Sequence, residues 1–142
     1  MVKNYVTFQC SKYPEIIEKN GYIEQEELLG QNIANEIATR GLVVSLESFI
    51  DWGFVFRSKF NGFEFDLIIK AVDILEKRFA LSITSTLNKI EKILGKNDES
   101  EYKGLIQIID DILRLSPHIK SIEWLNAEEW KERFSEKFNK IR

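Results

Sequence analysis

Asn61-Gly62, set between two strongly alternating runs, constrains this chain more than any other feature. A two-residue type I′ turn requires positive φ at both central positions, which Asn tolerates and Gly adopts freely, and its twist matches that of the flanking strands. The dipeptide therefore predicts an antiparallel hairpin of fixed register, in which Phe60 faces Phe63, Ser58 faces Phe65, Phe56 faces Leu67 and Phe54 faces Ile69. One side collects Trp52, Phe54, Phe56, Phe60, Phe63, Phe65, Leu67 and Ile69. The other carries Val55 opposite Ile68 and two pairs of opposite charge, Arg57 with Asp66 and Lys59 with Glu64. Each such charge pair contributes roughly 0.2–1 kcal/mol. A buried Phe or Leu contributes about 1.5–3 kcal/mol, so the aromatic side dominates the energetics. A one-residue slip would turn every ring to solvent, so turn and pattern specify one register independently.

Around this hairpin the remaining periodicities complete an α+β outline. Val2, Val6 and Phe8 alternate with polar residues as a first strand, with Tyr5 on its reverse side. From Glu24 to Arg40, Leu29, Ile33 and Ile37 recur at helical spacing; acidic residues open the segment and Gly41 closes it as a C-cap. Between these two elements the stretch Ser11 to Gly21 is ambiguous, with Pro14 placed to open a short helix. Val43 and Val44 suggest a short strand before a corner at Asp51, and Phe79, Leu81 and Ile83 supply the third strand of a meander. Thr86 to Leu94 reads as two helical turns closed by Gly95. Asp98 with Glu101, and Asn126 with Glu129, have the form of capping boxes ahead of two further helices; Leu125 can staple onto Trp130. Ile119 and Ile122 suggest a short strand between those helices. The expected architecture is one α+β domain over residues 1–142: strand, helix and three-stranded meander form a mainly antiparallel sheet, with helices packed on its aromatic face.

At 142 residues the chain can bury a sizeable core without disulfides or a structural metal. Twenty basic and 23 acidic residues, with net charge −3, argue against a partner held by phosphate neutralisation, so no nucleic acid is expected. The N-terminus lacks the apolar core of a signal peptide and no run is long enough to span a membrane, so the expected location is the cytoplasm. One cysteine and one histidine exclude a cysteine-rich zinc site, and no Gly-rich phosphate loop is present; no cofactor or metal is expected.

The segment Asp51-Trp52-Gly53-Phe54, preceded by an amphipathic helix and followed by the hairpin, resembles a loose group of small bacterial α+β proteins. The resemblance spans the first 85 residues or so and implies a fold, with no catalytic residues attached. Asp51 at a strand entrance is suited either to binding a partner's cation or to satisfying amides at a corner. Cys10 and His118 are the sole thiol–imidazole combination; catalysis would need them within hydrogen-bond reach, whereas phase with Val6 and Phe8 makes Cys10 a buried thiol and Pro117 makes His118 a turn residue. Asp110 and Asp111 read as a solvated helix face.

Two readings of function follow. The first is a non-enzymatic protein-binding module, an inhibitor or immunity protein, whose partner-binding residues are Asp51, Val55, Arg57, Asp66 and Ile68 on the outer side of the meander. The second is a small enzyme with Asp51 or Asp66 as general base in a cleft between sheet and helices. Self-association into a homodimer through an edge strand or the last helix is a further expectation.

Overall fold

Positive φ at both Asn61 (49°) and Gly62 (84°) closes the hairpin in the expected register, from Phe60 opposite Phe63 outward to Phe54 opposite Ile69. This computed structural model describes residues 2–13, 16, 18–19, 22–50, 53–87, 89–95 and 97–141, with backbone alone at 19, 22, 46–50, 89, 92 and 135–141. In chain order the elements are β1 (Tyr5–Cys10), β2 (Glu18–Lys19), β3 (Tyr22–Ile23), α1 (Glu24–Thr39), β4 (Val43–Ile50), β5 (Gly53–Phe60), β6 (Phe63–Asp73), β7 (Arg78–Ser85), α2 (Lys89–Ile93), α3 (Glu99–Leu115), β8 (Ile119–Leu125) and α4 (Ala127–Ile141). Six strands form one antiparallel sheet in the order β4-β5-β6-β7-β1-β8, and β2 pairs with β3 apart from it.

Burial follows the alternation. Phe56, Phe65, Leu67 and Ile69 are fully buried on the inner face beside Val6 and Phe8 of β1 and Leu81 and Ile83 of β7. Leu29, Ile33 and Ile37 of α1 and Leu105, Ile109 and Leu113 of α3 close over them as one apolar cluster. Tyr102 of α3 packs edge-on against Phe65, with ring centroids 4.9 Å apart, and its Oη accepts the Ser85 N–H, which ties the helix to the end of β7. The α+β fold with a mainly antiparallel sheet and helices packed against it is therefore the structure of this chain.

The last helix adds a smaller contact on the reverse face. Leu125 stands opposite Tyr5, both facing outward, and α4 starts immediately afterwards. Tyr5 stacks on Trp130 at 5.1 Å, and Phe134 is buried with Val72, Ala80 and Leu125. The helix start is the reciprocal box expected from sequence: Glu129 Oε1 accepts the Asn126 N–H at 3.0 Å, and Asn126 Oδ1 accepts the Glu129 N–H at 2.9 Å. An Arg133–Glu123 ion pair adds a tie from α4 to β8.

Several local expectations are corrected. The second capping box does not form: Asp98 makes no side-chain cap, and Asn97 Oδ1 instead accepts the Glu99 N–H at 2.9 Å, a shorter Asx turn that competes successfully for the same end. The strand at Val43 runs on to Ile50, so the meander has four strands, because pairing with β5 extends it beyond its two valines. The described part of Ser11 to Gly21 holds no helix and instead contributes β2, while Pro14 lies outside the described residues. The strand reading from Val2 begins only at Tyr5. Lys59 does stand opposite Glu64, but the ion pair to Glu64 is made by Arg57, which reaches its Oε2 at 3.4 Å as well as Asp66 Oδ1 at 2.8 Å. Asp110 is not simply solvated: it accepts the Trp124 Nε1–H at 2.9 Å and pairs with Arg114, and so fixes β8 to α3.

Glu26 is the most consequential departure. In sequence it belongs to an acidic helix start, yet it is fully buried, and its Oε2 accepts the Ala71 N–H at 2.7 Å. Ala71 adjoins a bulge in the β6–β7 ladder, where pairing skips from Ala71 to Asp73. Comparable irregularities interrupt the pairing of β4 with β5 between Ser45 and Ser48 and of β1 with β8 between Thr7 and Gln9. We expect Glu26→Ala, which strips a buried N–H of its acceptor, to cost about 1–3 kcal/mol in urea unfolding. Gly53 has φ 148° and a hydrogen where a Cβ would lie 2.4 Å from the Ile69 carbonyl oxygen. Backbone cannot yield as a side-chain tip does, so Gly53→Ala is expected to lower stability by about 1–3 kcal/mol; an unchanged unfolding midpoint would contradict this packing.

Candidate functional site

Strand geometry decides which of the sequence-derived site residues meet. Val55 and Arg57 alternate with buried rings along β5, and Ile68 and Asp66 stand directly opposite them on β6, so all four share the outer face of the hairpin. Asp51 lies outside the described residues. Val55 and Ile68 are half-buried, and the side chains of Arg57 and Asp66 each keep 35% of their surface open. The Arg57 guanidinium forks between Asp66 and Glu64; the hydrogen bond it donates to Asp66, then the charge of that carboxylate, hold the guanidinium proton more tightly than usual. Such exposed pairs add about 0–1 kcal/mol, so their effect is to orient Arg57 more than to stabilise the fold. Asp66 is engaged with Arg57 and lines neither hollow described below.

The first hollow is a cleft of about 440 Å³ where the ends of α3 and β1 and the start of β8 meet the middle of α1. Its floor is apolar: Cys10, Leu29, Ile33, Ile112 and Ile119. Its rim is mainly polar: Lys12 follows β1, Asn32, Asn35 and Glu36 come from one side of α1, and Ser116 and His118 come from the turn after α3, with Leu115 and Pro117 flanking Ser116. The turn is locked in place because the His118 carbonyl accepts both the Ser11 N–H (2.9 Å) and the Ser11 hydroxyl (3.2 Å). Asn32 Nδ2 donates to Tyr13 Oη at 3.4 Å, and Glu36 pairs with Arg40 one turn along. A second hollow, of about 430 Å³, lies beside the Asn61-Gly62 turn and is lined by Phe63, Glu64, Thr86, Leu87 and Glu91.

Cys10 and His118 thus share a cleft, but no hydrogen bond joins them among the described residues. Burial pushes the Cys10 thiol up, against a smaller opposing pull from the Lys12 N–H and ammonium, and only 2% of its surface is open. A protonated thiol under cover is a poor nucleophile. Burial, reinforced by Cys10, also pushes the Tyr13 phenol up to about 12, and burial raises that of Tyr102.

Sequence reasoning named Cys10 and His118 but passed over Lys12, Asn32, Asn35 and Glu36. The available signal was the spacing of three, then one, between the polar rim residues of α1, adjoining Leu29 and Ile33 on the same side of the helix. Among the described residues no group of acidic, histidine and cysteine side chains could hold a metal ion, and no helix is long and apolar enough to cross a membrane. Compared with known proteins, the chain matches no protein-family model, no curated protein and no solved structure.

The raised tyrosines bear on stability through their protons. The folded state holds these protons at a pH where the unfolded chain has released them, so stability is intact below the ordinary tyrosine value of 10.0 and declines as pH rises toward about 12. Ultraviolet titration should therefore show Tyr13 ionising near about 12, with the unfolding midpoint falling across the same window. In the same vein, a disulfide reagent at neutral pH should leave Cys10 largely unmodified until denaturant is added.

Proposed function

We propose that this protein is a non-enzymatic protein-binding module, an inhibitor or immunity protein of bacterial type, which receives its partner on the outer face of the β5–β6 hairpin. The observation that carries this reading is the juxtaposition of Arg57, oriented by two carboxylates, with half-buried Val55 and Ile68 on one rigid ladder. Arginine held in place beside apolar surface is the composition of interface hot spots, because little side-chain freedom is left to lose on docking. The carboxylates of Asp66 and Glu64 beside it suit a partner with cationic side chains, whose approach they would accelerate. Support also comes from the ladder itself: seven consecutive residue pairs hold these side chains at fixed spacing, and burial of the inner face resists any slip.

The test is recovery of the tagged protein from its native host, compared with Arg57→Ala and Ile68→Ser variants whose unfolding midpoints are first shown to match the parent. The expected outcome is a partner retained in stoichiometric amount by the parent and bound roughly tenfold or more weakly by each variant, as truncation of a hot-spot residue implies. Equal retention by all three proteins, or recovery of the parent alone in repeated trials, would count against the reading.

A further inference from the structure

We infer that the cleft between α1, the end of α3 and the β1–β8 margin is a binding site for a small organic carboxylate with an apolar body. This is independent of the hairpin reading, since the cleft opens on the helix side of the sheet and the hairpin residues face the other way. Its volume of about 440 Å³ is within the usual span for small-molecule sites, and its division into apolar floor and polar rim is what an amphipathic ligand requires. Among the described residues, the ammonium of Lys12, the carboxamide of Asn35 and the imidazole of His118 have no protein hydrogen-bond partner, although all three line the cleft.

The charge balance selects the sign of the ligand. Glu36, the acid at the rim, is paired with Arg40, whereas among the described residues no carboxylate is bound to Lys12. Lys12 stands two residues beyond Cys10 and lines the same cleft, so its exposed ammonium lies at the rim beside the apolar floor. An anion at the rim would gain a charge-assisted contact from Lys12 and further hydrogen bonds from the side chains of Asn35 and His118. Leu29, Ile33 and Ile112 would take the body of the molecule. An amine would meet Lys12 with like charge, and an alcohol would forgo the ionic contact.

The experiment is titration of the isotope-labelled protein, followed by amide shifts, with three matched probes: hexanoate, hexanol and hexylamine. Hexanoate should give saturable shifts at Asn32, Asn35, His118 and Ile119, and should bind roughly tenfold more tightly than hexanol, the size expected when one charge-assisted contact is lost. Hexylamine should give no saturable shift there. Lys12→Gln, an exposed change that leaves the floor intact, should weaken hexanoate by a similar factor and leave hexanol unaltered. The inference is overturned if hexanoate produces no saturable shift at these amides, if hexanol or hexylamine matches it, or if Lys12→Gln binds hexanoate as the parent does.

Discussion

The structure depends on the burial of one side of a twisted ribbon. Phe54, Phe56, Phe65, Leu67 and Ile69 leave water together because the strands bearing them are joined through two residues of positive φ. The two-residue side-chain period makes this all or nothing. Once the β5–β6 register is set, β7 extends the buried surface through Leu81 and Ile83, and β1 adds Val6 and Phe8 beyond it. The helices α1 and α3 then have a continuous apolar surface to cover.

Polar contacts govern how the helices sit on that surface. Glu26 joins the first turn of α1 to the main chain of β6, Tyr102 joins α3 to the end of β7, and Asp110 holds the indole of Trp124 on β8. Each links a helix to a strand through a directed contact that apolar packing does not supply. On the reverse face, Tyr5 and Trp130 give α4 its footing while the outer side of the hairpin retains its charges and its half-open aliphatic residues. The reverse face is thus shared between a covered portion near β1 and β8 and the proposed partner surface.

Legibility in the sequence followed the range of the interactions. The hairpin register, the apolar stripes of α1 and α3, and the Asn126–Glu129 helix start are short-range patterns, and each appears in the structure where the residues placed it. Glu26 was misread because burial of a carboxylate depends on a main-chain N–H more than forty residues away, which no local pattern encodes. Asp98 and Glu101 have the right spacing for a cap, yet a neighbouring Asn took the role, since two local turns compete at nearly equal energy. The full length of β4 is owed to its partner strand. Cys10 and His118 were legible as residue types, but their shared cleft arises only when β1 and β8, remote in sequence, become neighbours.

An open sheet of six strands has two margins whose unpaired amides invite another copy to add on, the first step toward fibrils. Here both margins are irregular: β4 joins β5 with a skip between Ser45 and Ser48, and β8 joins β1 with one between Thr7 and Gln9, beside Ser121 at φ 58°. A bulged strand bends and overtwists, so an incoming chain finds no flat run of evenly spaced donors and acceptors to match. The outermost strands thereby oppose, by their shape, the edge-to-edge addition of further chains.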